Sequence, residues 1–157
     1  MNSIHNRSIL VVDDDTTLLR AIETVLAQEG CQVTCAKWAA EAMEQLANPQ
    51  NRFDLIITDL HMPFVKGGSI VWMIAERLNG GTHRTTSVTD GQFTPPGTKA
   101  AVPTLPVIVL TAFGSPEVRA ECFYLGVADF LEKPLDTQQL LTAIGKALAS
   151  QRPAAND

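Results

Sequence analysis

Short apolar runs alternate with stretches of helical periodicity along most of this chain, and that alternation restricts the folds open to it. "SILVVD" (8–13) reads as a buried strand, and Leu18, Leu19, Ile22, Val25 and Leu26 then repeat at helical spacing as far as Gly30. "CQVTCA" (31–36) is a short strand, and "AAEAMEQLAN" (39–48) is a helix stopped before Pro49. "DLIITD" (54–59) is a second continuously apolar strand ending in an acid, and Ile70, Val71, Met73, Ile74 and Leu78 mark a third helix. "PVIVLTA" (106–112) is a strand. "SPEVRAECFYLG" (115–126) carries a Ser cap, a Pro in its first turn and a terminal Gly. "VADFLEK" (127–133) is a last strand, and "DTQQLLTAIGKALAS" (136–150) opens with Asp136 and Gln139 at capping-box spacing. Five strand–helix units with continuously apolar strands predict an α/β domain, a parallel sheet covered on both faces.

The 157 residues suit one domain with a real core. A net charge of -5 argues against a nucleic-acid-binding surface on this chain. No apolar run reaches membrane-spanning length and no signal peptide is visible, so a cytoplasmic protein without membrane contact is expected. Cys31, Cys35 and Cys122 read as reduced, small core residues, since no second pair and no clustered His completes a thiolate metal site. Residues 79–105 break the pattern with a Thr-, Gly- and Pro-rich insertion in which Asp90-Gly91 has the signature of a two-residue hairpin turn. It falls between the third helix and the fourth strand, and is expected to lie away from the strand ends. Residues 151–157 read as a polar tail or the start of a linker, the domain itself spanning 1–150.

In a sheet of this type, ligands bind at the carboxyl ends of the strands. Those ends carry Asp13 and Asp14, Asp59, Thr111 and Lys133. Three carboxylates meeting on one edge repel each other unless a hard dication joins them, and Mg²⁺ takes oxygen ligands. A hydroxyl and an ammonium opposite the metal would then hold two oxygens of a phosphoryl group, whose transfer needs positioning and charge neutralisation above all. Asp15 reads as the cap of the first helix.

"LVVDDD", "DLIITDLHMP", "PVIVLTA" and "ADFLEKP" together resemble the CheY-like receiver domain of two-component response regulators, over about residues 7 to 150 with the 79–105 insertion between. The resemblance implies a flavodoxin-like fold with strand order 2-1-3-4-5. It implies that Asp59 takes a phosphoryl group from a phosphohistidine on a histidine kinase or histidine phosphotransfer protein. Asp13, Asp14, Asp59 and the backbone carbonyl of His61 would hold Mg²⁺, with Asp13 acting largely through water. Thr111 and Lys133 would bind phosphoryl oxygens, and a cis Lys133–Pro134 bond would aim the lysine into the site. Phe130 occupies the aromatic switch position, where its ring would follow Thr111 inward and alter the 113–150 surface read by an effector protein or output domain. The chain would then be a signalling phosphoacceptor, catalysing only its own phosphorylation and dephosphorylation. His61 and Phe113 flank the site and would gate water. One departure is Lys66 before Gly67, where the family often has a small or acidic residue.

"VVDDDTT" also fits the D-x-D-x-T motif of haloacid-dehalogenase phosphatases, with Asp13 as nucleophile and Asp15 as acid/base. That family needs further acids on a strand after the lysine, and a flap soon after the first strand. Here one helix and a polar tail follow Lys133, and a regular helix follows the first strand at once. A third reading is a binding module that is never phosphorylated, although degenerate receivers lose one of the five groups and this chain keeps all five.

Overall fold

The structure, a computed structural model, describes residues 4–60, 74, 105–112, 114–124 and 126–150. Their elements run β1 (Ser8–Val12), α1 (Thr16–Gln28), β2 (Gln32–Ala36), α2 (Ala39–Ala47), β3 (Leu55–Asp59), β4 (Val107–Thr111), α3 (Pro116–Tyr124), β5 (Asp129–Glu132) and α4 (Thr137–Ser150). The strands form one sheet in the order β2-β1-β3-β4-β5, all pairs parallel. Architecture and strand order are those expected from the sequence. Strand limits fall within a residue or two of the expected ones, the largest difference being at β5, where pairing with β4 begins at Asp129.

The central strands β3 and β4 are buried along their whole length because helices cover both faces. Side-chain alternation divides the core in two. Ile9, Val11, Leu55, Ile57, Ile108 and Leu110 pack against Leu19, Ile22 and Leu26 of α1 and Leu140, Ile144 and Leu148 of α4. Leu10, Val12, Ile56, Val107 and Val109 face the other way, toward Ala39 and Ala42 of α2, Ile74, and Cys122 of α3. Cys31 and Cys122 are buried and outside any disulfide, as the reading of reduced core cysteines expects. Cys35 is only half-buried because it sits on the edge strand β2.

Capping follows the local chemistry. Asp15 Oδ1 accepts the Thr17 and Leu18 amides at 3.0 and 3.2 Å and starts α1. The helix ends at Gly30, whose φ of +83° lets the Gly30 and Cys31 amides turn back to the Ala27 and Leu26 carbonyls. Ser115 Oγ accepts the Val118 amide, and Asp136 Oδ1 accepts that of Gln139. The third helix expected around 70–78 lies outside the described residues, except that Ile74 is helical and buried. The hairpin at Asp90-Gly91, the placement of the 79–105 insertion up to residue 104, Lys66 with Gly67, and the tail 151–157 also lie outside them.

Candidate functional site

Sheet register assembles the site. Val12 pairs with Thr58, so Asp13 and Asp59 are the next residues along two adjacent strands. Asp59 pairs with Leu110, which sets Thr111 one row further on, and Thr111 pairs with Glu132, the residue before Lys133. The Lys133 amide donates to the Thr111 carbonyl at 2.8 Å and ties these ends together. The Lys133–Pro134 peptide is cis, as the resemblance implies.

Five of the sequence-predicted residues therefore meet at one sheet edge. Asp13 and Thr111 are fully buried, Asp59 is nearly so, and Asp14 is exposed. Carboxylate oxygens of Asp13, Asp14 and Asp59, one from each, lie within 4.8 Å of one another. Lys133 Nζ donates to Asp13 Oδ2 at 2.8 Å and lies 3.4 Å from Asp59 Oδ2. The other oxygen of Asp13 accepts the Asp15 amide at 2.9 Å. Burial pushes the Asp13 carboxyl above its ordinary pKa; the Lys133 and Asp15 hydrogen bonds draw it back only in part, and the Asp59 charge adds to the rise. Burial draws the Lys133 ammonium down, but its hydrogen bond to Asp13 and the two neighbouring carboxylates outweigh that and leave it above its ordinary value. Among the described residues the site thus concentrates more negative charge than the Lys133 ammonium neutralises, and its donors are the hard oxygens that a small dication prefers.

Phe130 is buried on the α2/α3 face of the sheet, against Val118 and Cys122. Gly114 and Arg119, which no motif marks, lie against its ring. The spacing of Arg119 and Phe123, one helical turn apart, is their only local signal in the sequence. His61 and Phe113 lie outside the described residues.

The family model for the response regulator receiver domain matches residues 9–89, just over half of the chain. The chain belongs to that family. Among curated relatives, the transcriptional regulatory protein ZraR of Escherichia coli K12 is 31% identical over 144 residues, covering 92% of this chain and 27% of ZraR. The chain spans less than a third of the length of such relatives. Among solved structures, a receiver domain protein from Clostridium thermocellum matches with a TM-score of 0.70 at 26% identity, over 93% of this chain and 97% of that one. The non-phosphorylated HemR receiver domain of Leptospira biflexa gives 0.69 at 28% identity, over 95% and 99%. This is a receiver domain of the two-component response regulator kind, with its flavodoxin-like sheet, and its role is in signalling. The haloacid-dehalogenase reading falls with that membership. Asp15, its required acid/base, is instead the cap of α1. Among the described residues no helix is long and apolar enough to cross a membrane.

Proposed function

We propose that Asp59 is the phosphoacceptor, that Asp13, Asp14 and Asp59 hold Mg²⁺, and that Thr111 and Lys133 bind the transferred group. The observation that carries this reading is that, among the described residues, the carboxylates of Asp13, Asp14 and Asp59 meet the Lys133 ammonium at the carboxyl edge of adjacent parallel strands. The same reading takes the His61 carbonyl as a further ligand. Three clustered oxygen donors, one on a fully buried carboxylate whose charge its surroundings disfavour, fit a hard dication. When bound, Mg²⁺ neutralises the acids and draws charge from a phosphoryl oxygen.

In the transfer, a carboxylate oxygen of Asp59 bonds to phosphorus as the P–N bond to a phosphohistidine imidazole breaks, and the electron pair of that bond stays on the imidazole. Lys133, already within 3.4 Å of Asp59, moves its ammonium onto the incoming phosphoryl oxygens, and the Thr111 hydroxyl donates to another. Hydrolysis of the aspartyl phosphate resets the site, with His61 and Phe113 gating water. These two half-reactions are the domain's own chemistry. The donor is a histidine kinase or histidine phosphotransfer protein, and the phosphorylated form shifts the conformer population of Phe130 and the 113–150 surface toward an effector protein or an output domain. We take residues 1–150 as the receiver, with the 79–105 segment an insertion in its sequence and 151–157 a tail or linker, in a cytoplasmic protein that contacts neither membrane nor nucleic acid through this domain.

Intact mass after incubation with Mg²⁺ and acetyl phosphate tests the assignment. One added phosphoryl group on the wild type, absent from Asp59→Asn, is expected. A gain that survives Asp59→Asn, or no gain from either this donor or a phosphorylated histidine protein, would overturn it, the latter in favour of a module that binds without being phosphorylated.

A further inference from the structure

Phe130 is 5% exposed in the core cluster with Cys122 and Val118, and two further contacts bear on its ring. The first is an opening. A Cβ built on Gly114 would lie 2.8 Å from Phe130 Cε1, 3.1 Å from Cζ and 3.2 Å from Glu132 Oε1. Gly114 is not among the positive-φ glycines, so its backbone would accept a side chain, and the ring is what leaves no room for one. The second contact is a cover. Arg119, on α3, places its guanidinium carbon 5.9 Å from the centroid of Phe130 and 5.5 Å from that of Phe123. Both distances fall inside the range in which a cation is drawn to the negative face of an aromatic ring. Phe123 is 42% exposed, Arg119 is exposed, and Phe130 lies beneath them.

We propose that Arg119 is a positioning residue, a latch whose guanidinium holds the Phe130 ring inward beneath α3, in a slot that stays open only because residue 114 is glycine. This rests on the reading of Phe130 as the switch and adds the element that sets its resting balance. One cation shared between a ring on α3 and a ring on β5 couples the two elements. Phe130 leaves its slot only when the guanidinium gives up that contact, and the α3 surface carrying Phe123 then changes with it. The 113–150 surface accordingly reports the position of Phe130 through Arg119.

The test uses the full chain labelled with 4-fluorophenylalanine and followed by fluorine NMR. Its six phenylalanines give a tractable spectrum, with Phe130 assigned from Phe130→Leu. Arg119→Gln should raise the solvent-induced relaxation of the Phe130 signal and shift the outward-to-inward ratio about two- to fivefold, the factor an exposed cation–ring contact supports. Arg119→Lys should restore most of the inward population. Gly114→Ala should drive the ring outward more completely. An Arg119→Gln spectrum identical to wild type would overturn the latch, and so would equal shifts in the Gln and Lys variants, since charge would then play no part. Mg²⁺ with beryllofluoride, added to wild type, tests the underlying reading separately. If Phe130 ignores that phosphoryl mimic while Arg119→Gln still moves it, the latch stands and the switch assignment falls.

Discussion

Lys133 and Asp13 form an ion pair across 120 positions of the chain, with Nζ 2.8 Å from Oδ2 on a fully buried carboxylate. The same ammonium reaches Asp59 at 3.4 Å. On the proposed function this ammonium would have to release these acids in part when a dication or a phosphoryl group arrives, and the consequences of that competition can be measured.

Replacing Lys133 by Met removes a positive charge from beside the proposed cation site. Mg²⁺ should bind more tightly to Lys133→Met, on the order of tenfold. Phosphorylation from acetyl phosphate should slow by at least about tenfold, because the donor to the phosphoryl oxygens is gone. Calorimetric titration with Mg²⁺ and the mass assay measure the two effects. An unchanged Mg²⁺ affinity would mean that the ammonium does not compete for the acids.

Asp13 should oppose folding at neutral pH. Burial raises its pKa in the folded chain above the ordinary 3.8, so the folded state binds this proton more tightly than the unfolded state does. The penalty is complete above the raised value and is shed as pH falls through it toward 3.8. Asp13→Asn should thus be more stable than wild type by about 0.5–2 kcal/mol in neutral Mg²⁺-free buffer. The advantage should shrink on acidification, while phosphorylation is lost. Urea unfolding at several pH values checks the sign, and a variant less stable than wild type at neutral pH would contradict it.

Asp15 caps α1. Asp15→Ala should cost about 1 kcal/mol through loss of the two amide contacts that start α1. It should leave the phosphoryl mass gain on Asp59 intact. A variant that folds yet cannot be phosphorylated would return Asp15 to the chemistry.

The strand-end residues are legible in the sequence because a parallel sheet has one ligand-binding edge, and the ends of the apolar runs select Asp13, Asp59, Thr111 and Lys133. The caps at Asp15, Ser115 and Asp136, and the stop at Gly30, were legible because they depend on residues within one turn. The hold of Lys133 on Asp13 and the packing of Gly114 and Arg119 on Phe130 were not. Those contacts depend on how far β5 and α3 approach each other and the sheet edge, a distance fixed by the volumes packed between them and by no local pattern.

Substitution of Gly30 should destabilise the fold. Its φ of +83° is strained for any side chain, and a Cβ there would approach His5 Nε2 to 2.8 Å. Gly30→Ala should cost at least about 1–2 kcal/mol. Adding His5→Ala should recover the steric part and leave the backbone part, and thermal melts of the single and double variants separate the two. No recovery at all would mean that His5 simply swings aside.

The sheet order has a consequence for the growing chain during synthesis. Asp13 and Asp14, which follow β1, and Asp59, which ends β3, are all made early, whereas Thr111 ends β4 and Lys133 follows β5. A ribosome releases the N-terminal part first. Until β5 has emerged, the nascent protein holds three mutually repelling acids without the ammonium that quiets two of them. The machinery that could take a phosphoryl group is thus completed only when translation has nearly finished this domain, and a truncated product carries the negative charges without the means to use them.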